Sequence, residues 1–312
     1  MKKHDTAVLL IGFLRREFLL ENIRKSVEFG YQRIYVALDG PRTADESRVT
    51  NSVLSAVKEF AESCSIPIFL LARDANVGCA VSVMAACDWV FRNEQRVVIL
   101  EDDCLPTLDF FNFVDLYIEK LEESNDVFVI CGTQVLDLEV PFAAYLSNYA
   151  LTWGWATTRV KWNQLRELAF DVLRDTKGKE NEIHIWERIY WNAGARRALR
   201  GYADAWDTIM VAALRLNGFY SILPTKNLVT NRGDDEYATH TLKGSIGLNT
   251  PISSIEMSGG ELLPNAEIDY ALKRNFYKIR FRHMFTTQIT RMRDAMRKKY
   301  LLESRLGAVN NI

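Results

Sequence analysis

Four apolar residues lead directly into three acidic ones in the stretch Val97-Val98-Ile99-Leu100-Glu101-Asp102-Asp103. A continuous apolar run predicts a strand buried in a parallel sheet, and open α/β sheets bind ligands beyond the carboxyl ends of such strands. Neighbouring carboxylates there repel one another unless a metal cation or an arginine compensates them. The stretch therefore predicts a divalent metal site with oxygen ligands, suited to Mg²⁺ or Mn²⁺. The alternative is an acidic turn in contact with solvent.

Composition places the chain among soluble globular proteins. Its 312 residues are 48% hydrophobic and 25% charged, with a formal net charge of −1, which allows one large domain or two modest ones. The five cysteines are scattered and form no CxxC pair, as in reduced proteins of the cytosol. The first apolar stretch, 7–13, is too short to span a membrane. We therefore predict a cytoplasmic protein.

Predicted strands alternate with predicted helices. Apolar, β-rich runs predict strands at 7–13, 33–38, 66–71, 97–100 and 127–131, and helical periodicity predicts helices at 17–29, 43–63, 77–91 and 108–123. A later helix is predicted at 204–216, with short strands at 220–223 and 227–229. This alternation predicts βαβ units and an α/β fold with a mostly parallel central sheet.

Polar side chains follow successive predicted strands at the edge where a ligand would bind. Arg15 follows the first strand and offers a guanidinium that suits a phosphate or a nucleobase edge. Asp39 follows the second strand, where a carboxylate can accept from a base N–H or a ribose hydroxyl. Arg73 and Asn76 lie in the turn before a helix N-terminus, which favours anions. With the acidic triplet, these residues predict a pocket for a metal-bound nucleoside diphosphate.

Several other chemistries lack their motifs. The sequence has no GxGxxG after the first strand, no GxxxxGK[ST] loop and no GxSxG elbow, which argues against dinucleotide, P-loop and hydrolase sites. It has only four histidines, which disfavours a His-rich metal centre.

The order of these motifs resembles the GT-A glycosyltransferases, and more narrowly the inverting enzymes similar to N-acetylglucosaminyltransferase I and their bacterial relatives. The resemblance covers about residues 7–241. The segments that carry it are Glu101-Asp102-Asp103, Asp39-Gly40, Asn76-Val77-Gly78-Cys79, Leu-Thr-Trp-Gly-Trp-Ala-Thr at 151–157, Ala205-Trp206-Asp207, Leu-Val-Thr-Asn-Arg-Gly at 228–233, and Ala-Thr-His-Thr at 238–241.

The resemblance implies a role for particular residues. Asp103, the last acid of the triplet, would hold Mn²⁺ or Mg²⁺, and His240 would be an additional ligand. Asp207 would be the catalytic base, because a Trp-Asp pair opens the helix that carries this carboxylate in the relatives; Asp204 is the competing base or helix cap. The predicted substrate contacts are Arg15, Asp39, Arg73, Asn76, Asp102, Trp153 and Trp155.

It also implies an organisation and a function. Residues 1–242 would form a Rossmann-like GT-A catalytic domain, divided into a nucleotide-binding half, 1–104, and an acceptor-side half, 105–242. The enzyme would be a metal-dependent inverting glycosyltransferase that moves a sugar from a nucleotide-sugar, with UDP favoured, to a hydroxyl of a glycan or lipid-linked glycan in bacterial surface polysaccharide synthesis. The alternatives are a sugar-nucleotide pyrophosphorylase-like enzyme and a nucleotide-sugar-binding pseudoenzyme.

The C-terminal region lies outside the resemblance. Residues 243–264 are rich in Gly, Ser, Asn and Pro and predict a linker or loop, followed by a basic amphipathic helical tail at 265–312. Residues 273–299 contain ten basic residues and one acid, Asp294. A helix with an apolar stripe and a basic face suits an anionic membrane surface, at the inner face of the membrane. Packing on the domain and homodimerisation are the alternatives, and nucleic acid is disfavoured because base-stacking motifs are missing.

Overall fold

An eight-stranded sheet organises the residues that the computed structural model describes, 5–174, 183–201, 203–233 and 260–279. The strands are β1 Thr6–Gly12, β2 Ile34–Leu38, β3 Ile68–Ala72, β4 Arg96–Glu101, β5 Cys104–Pro106, β6 Val127–Cys131, β7 Ala144–Ser147, β8 Trp155–Thr158, β9 Tyr220–Pro224 and β10 Val229–Asn231. The helices are α1 Arg16–Phe29, α2 Ala44–Ser63, α3 Cys79–Val90, α4 Leu108–Glu123, α5 Arg159–Arg174, α6 Ile185–Leu199, α7 Trp206–Asn217 and α8 Ala266–Ala271.

The sheet has the strand order β3-β2-β1-β4-β8-β6-β9-β7. The pairs β1–β2, β2–β3, β1–β4 and β6–β9 are parallel, whereas β8 is antiparallel to β4 and β6, and β7 is antiparallel to β9. Six of the eight strands therefore run in one direction, which confirms the predicted α/β fold with a mostly parallel, Rossmann-like sheet. A separate antiparallel ribbon joins β5 to β10.

The strand order reverses between β1 and β4. The chain moves outward from β1 through β2 to β3, and then returns to the other side of β1 to form β4. A reversal of this kind leaves a crevice beyond the carboxyl ends of the two strands, because their connections leave on opposite sides. The residues after β1 and after β4 therefore meet at one site.

Burial on both faces explains why the central strands are continuously apolar. Alternate residues of β1 belong to two different clusters: Leu9 lies in the cluster on one face of the sheet, and Val8 and Leu10 lie in the cluster on the other. The edge strand β3 has exposed positions along its length, including Phe69, which is 42% exposed. The core therefore lies on both faces of the central strands and thins toward β3.

Sequence patterns predicted the first half of the chain well. From β1 to β4, each predicted strand and helix ends within two residues of its observed limits. The sequence analysis did not identify β5, β7 or β8, which are only three or four residues long. It also missed α5 and α6 in the tryptophan-rich part of the chain.

The end of the predicted linker, 260–264, and the first part of the predicted basic tail, 265–279, lie against the sheet. The backbone of Leu146 in β7 accepts from the N–H of Asn265 and donates to the carbonyl of Leu263. Helix α8 and a π-helical turn, Leu272–Phe276, follow, and Tyr277 donates through its hydroxyl to the carbonyl of Ala150 at 2.6 Å. Residues 260–279 therefore pack against β7 and the residues that follow it. The remainder of the predicted linker and tail, 243–259 and 280–312, lies outside the described residues.

Within the described ranges, no helix combines the length and the apolar character that crossing a membrane requires.

One buried carboxylate joins α6, α7 and the π-helical turn. Glu187 in α6 is 2% exposed and accepts from Arg215 of α7 at 2.7 Å, from Lys273 of the π-helical turn at 2.6 Å and from the Tyr149 hydroxyl at 2.6 Å. Burial acts to raise the pKa of Glu187, but the hydrogen bonds and charges of Arg215, and then of Lys273, lower it to about 2. The pair of cations therefore keeps Glu187 ionised.

We expect Glu187→Gln to lower the free energy of unfolding by about 3–5 kcal/mol, because it leaves Arg215 and Lys273 without their counterion. The folded-state pKa lies below its ordinary value of 4.5, so this stabilisation is complete above about pH 4.5 and is lost as the pH falls toward 2. Urea denaturation at several pH values measures both effects.

Glu122→Gln is the matched control. Glu122 pairs with Arg96, but its side chain is 35% exposed, so its loss should cost at most about 1 kcal/mol. A similar loss of stability in the two variants would contradict the role assigned to Glu187.

Candidate functional site

A cleft of about 920 Å³ opens at the carboxyl ends of β1, β2 and β4. Its wall combines residues from the strand ends, the start of α3 and the start of α7. Among the described residues, its charged lining consists of Asp39, Asp45, Glu46, Glu101, Asp102, Asp103, Asp204 and Asp207, with Arg15 and Arg42 as the basic members. Eight acids against two bases leave an excess of negative charge that a bound cation would offset.

The acidic triplet is tied to the end of β1. Arg15 donates from Nη1 to Asp102 Oδ1 at 3.0 Å and to Asp103 Oδ2 at 3.3 Å. The backbone N–H of Phe13 donates to Asp102 Oδ2 at 2.9 Å. Both oxygens of Asp102 are therefore engaged by the protein, and its side chain is only 7% exposed. Asp103 is more accessible, at 17%.

Glu101, which the sequence analysis placed in the acidic triplet without a role of its own, lines the cleft. The Trp206 indole N–H donates to Glu101 Oε1 at 3.3 Å, which links the end of β4 to the start of α7. Burial, and then the charges of Asp103 and Asp102, raise the pKa of Glu101 to about 8. Burial and the Asp103 charge also raise the pKa of Asp102, to about 6, against the effect of Arg15. The sequence signal that could have identified Glu101 was its position as the first acid of the triplet.

The carboxylates suit an open metal site and not a closed cage. Among the described residues, no three His, Cys, Asp or Glu side chains are grouped to enclose a metal ion. Divalent ions that work with phosphates are commonly held by one or two carboxylates, with substrate oxygens completing the shell. Asp103, the more accessible of the two aspartates of the triplet, fits such an ion. His240, the other predicted ligand, lies outside the described residues.

Asp39 joins the loops that follow β2 and β3. Its Oδ1 accepts from the N–H groups of Gly40 at 2.9 Å and Val77 at 3.1 Å, and its Oδ2 accepts from the Asn76 side chain at 3.0 Å. Burial raises the pKa of Asp39, while the backbone hydrogen bonds act in the opposite direction. Asp39 and Asn76 both line the cleft. Arg73 is not part of the lining, and its charge acts on Asp39.

The structure separates the two candidate bases. Asp207 is exposed, lies in the first turn of α7 and lines the cleft, where its charge contributes to the raised pKa of Glu101. Asp204 uses both carboxylate oxygens as acceptors for backbone N–H groups at the start of α3, from Cys79 at 2.8 Å and Ala80 at 2.5 Å. The predicted helix at 204–216 begins at Trp206, so Asp204 precedes it.

The two tryptophans predicted to contact substrate have different positions. Trp153 is partly buried, lines the cleft and meets Phe276 edge to face, with 6.0 Å between ring centroids. Trp155 is 1% exposed, is not part of the lining and stacks on Trp206 at 5.4 Å. Trp155 in strand β8 therefore packs in the core and supports Trp206, whereas Trp153 faces the cleft.

No protein-family model matches the chain, and no curated protein sequence matches it. It is similar to the solved structure of mannosyltransferase PcManGT from Pyrobaculum calidifontis in complex with GDP-Man and Mn²⁺, with 14% identity and a TM-score of 0.40 over 69% of this chain and 70% of that one. It is also similar to HddC from Yersinia pseudotuberculosis, with 14% identity and a TM-score of 0.31 over 50% of this chain and 77% of that one. At these levels neither likeness assigns a substrate or a reaction.

We expect Gly40→Ala to lower the free energy of unfolding by about 1–3 kcal/mol, as overpacking does. A Cβ at Gly40 would lie 2.4 Å from the carbonyl carbon of Ala75 and would push apart the two loops that Asp39 joins. Urea denaturation measures the loss. The control is Gly260→Ala, where no atom lies within 4 Å of the added Cβ and the change should stay within about 0.5 kcal/mol. Equal stability of the two variants would contradict the close approach.

Proposed function

We propose that the protein is a metal-dependent inverting glycosyltransferase that transfers a sugar from a nucleotide-sugar, with a UDP-sugar favoured, to a hydroxyl of a glycan acceptor. One observation carries the proposal: a single cleft at the β1/β4 reversal brings together the acidic triplet after β4 and Asp207 at the start of α7. This arrangement supplies a site for a diphosphate with its cation and a separate carboxylate for the acceptor.

The part of the cleft lined by Asp39 and Asn76 supports the proposal of nucleotide binding. Asp39 and Asn76 fix the loops after β2 and β3, and both line the cleft beside the triplet. The two basic side chains of the described lining are both paired with acids, Arg15 with the triplet and Arg42 with Glu46. A diphosphate in this cleft therefore needs another source of positive charge, which supports a divalent cation at Asp103.

When bound, Mn²⁺ or Mg²⁺ would act as a Lewis acid that stabilises the charge on the departing diphosphate. The residues of the chain would hold the cation and fix the geometry around it. Asp103 would hold the cation, and Arg15 fixes the position of Asp103 through its hydrogen bond. Asp102, engaged by Phe13 and Arg15, keeps the end of β4 close to the end of β1.

Asp207 would accept the proton of the acceptor hydroxyl. General bases of this kind are carboxylates within reach of the attacking oxygen, and a position in the first turn of a helix favours the ionised form. Attack from the side opposite the diphosphate inverts the anomeric centre, by the geometry that distinguishes inverting from retaining glycosidases. Trp153 lies in the same wall and offers an apolar surface for a sugar ring.

The setting of the enzyme is also a proposal. The basic pattern at 280–299 suits an anionic membrane surface where a lipid-linked glycan of a surface polysaccharide would be extended. These residues lie outside the described part of the chain, so contact with a membrane, packing on the domain and homodimerisation all stay predictions. Flotation of the full chain with anionic vesicles at low salt tests the first.

We expect Asp103→Ala to abolish transfer and the Mn²⁺-dependent part of nucleotide binding while the protein stays folded, because the variant removes the accessible carboxylate of the triplet. A thermal-shift screen of UDP-, GDP- and dTDP-sugars with and without Mn²⁺ identifies the donor first, and calorimetry then compares the variant with the wild type. Full activity of Asp103→Ala, or of the wild type in EDTA, would exclude the metal.

We expect Asp207→Asn to lower kcat by about 10²–10⁴-fold with nearly unchanged donor binding, because the amide keeps the shape of the side chain but loses its basicity. Steady-state kinetics with the donor identified by the screen provide the measurement. Slow donor hydrolysis by the wild type with Mn²⁺ distinguishes an enzyme from a pseudoenzyme. If Asp207→Asn retains wild-type kcat, the base is a different residue.

A further inference from the structure

Helix α3 begins without a cap of its own. Gly78 occupies the N-cap position with φ +87° and has no side chain to accept a hydrogen bond. The first N–H groups of any helix lack partners within the helix and need acceptors from elsewhere. Asp204 provides them from a position 124 or 125 residues away in the sequence, with one carboxylate oxygen on Cys79 and the other on Ala80.

The residues that directly follow Asp204 form the start of α7. Ala205 is the N-cap of α7 and makes no side-chain cap, and Asp207 lies in the first turn. Trp206 is fixed by its hydrogen bond to Glu101 and by stacking on Trp155. Asp204 is thus a second attachment of this segment, on the side of α3.

Hydrogen bonds also connect the start of α3 to Asp39 in the cleft. The N–H of Gly78 donates to the Asn76 side chain at 3.1 Å, and Asn76 in turn donates to Asp39. A chain of direct hydrogen bonds therefore leads from Asp39 through Asn76 to Gly78, and the next two residues bind Asp204. Charge-assisted hydrogen bonds of a carboxylate to backbone N–H groups are stronger than neutral ones.

We propose that Asp204 is a positioning residue whose carboxylate fixes the base-bearing end of α7 to the start of α3, so that the nucleotide-side loop and Asp207 keep one relative geometry. The proposal rests on the proposed function for its kinetic consequence, whereas the attachment itself is independent of any reaction. Gly78 is part of the arrangement, because a Cβ there would lie 3.2 Å from Asp204 Oδ2 and the backbone has positive φ.

The first experiment compares Asp204→Ala with Asp204→Asn. Misplacement of a catalytic group by about 1 Å can cost about 10²-fold in rate, so Asp204→Ala should lower kcat by about 10–100-fold with little change in the KM for the donor. Asp204→Asn keeps one acceptor oxygen and should fall between Asp204→Ala and the wild type. If Asp204 were the catalytic base, both variants would lose the base equally. Equal kcat values for Asp204→Ala and Asp204→Asn would therefore overturn the proposal.

The pH profile separates positioning from proton transfer. If Asp207 is the base, Asp204→Ala retains the acidic limb of the kcat profile at a lower plateau. Disappearance of that limb in Asp204→Ala would make Asp204 the base and overturn the proposal. Gly78→Ala disturbs the same contact from the other side and should reproduce the lowered kcat of Asp204→Ala.

Hydrogen exchange of the full chain without ligand gives a readout that does not depend on activity. The amides of Cys79 and Ala80, together with those at the start of α7, should exchange faster in Asp204→Ala than in the wild type. Unchanged exchange at both helix starts would overturn the attachment. If the wild type transfers no sugar but the exchange increases as expected, the proposed function fails and the attachment stands.

Thr107→Ala is the matched control. Thr107 caps α4 by accepting from the Phe110 N–H at 3.2 Å, and it does not line the cleft. Its loss should change exchange at the start of α4 and leave kcat and exchange at α3 and α7 unchanged. A fall in kcat equal to that of Asp204→Ala would show that general loosening of the fold, and not this attachment, explains the effect.

Discussion

Crowding of carboxylates at the end of β4 is the constraint on which the cleft depends. Glu101, Asp102 and Asp103 follow one another where the strand leaves the core, and burial makes their charges costly. Hydrogen bonds from other elements compensate part of this charge. Arg15 and the N–H of Phe13 come from the end of β1, and the Trp206 indole comes from α7. Satisfying the acids therefore also draws together the walls of the cleft.

Two buried carboxylates, Glu187 and Glu101, have their pKa values shifted in opposite directions. Glu187 has two cations and a hydroxyl around it, and its pKa is lowered to about 2, as in a structural ion cluster that keeps its carboxylate ionised. Glu101 has acids around it and accepts a hydrogen bond from the Trp206 indole N–H, and its pKa is raised to about 8. The first cluster is complete without a ligand. The second carries an excess of negative charge, and such an excess is typical of sites that bind a cation or handle protons.

The starts of helices α3 and α7 are joined to each other. The start of α7 carries Asp207, and the start of α3 lies next to the loop that holds Asp39. Asp204 joins the two starts, since its carboxylate satisfies the N–H groups that Gly78 cannot. Phe276 meets Trp153 edge to face, so the segment 260–279 supports the wall of the cleft. The cleft is thus held by contacts between residues far apart in the chain.

The sequence by itself determined the α/β class, the limits of the elements from β1 to β4 and the position of the acidic triplet at a strand end. These features depend on local patterns: a strand buried on both faces must be apolar throughout, and a helix must repeat its apolar positions. The sequence also selected Arg15, Asp39, Asn76, Asp103 and Asp207, which the fold brings to one cleft because they follow strands or begin helices at one edge. Only the tertiary structure joined Asp204 to the start of α3, placed Trp155 in the core and packed residues 260–279 against the sheet. Those outcomes depend on partners that are distant in the sequence, 125 residues away for Asp204 and Cys79, and no local pattern specifies which distant N–H or aromatic ring a side chain will meet.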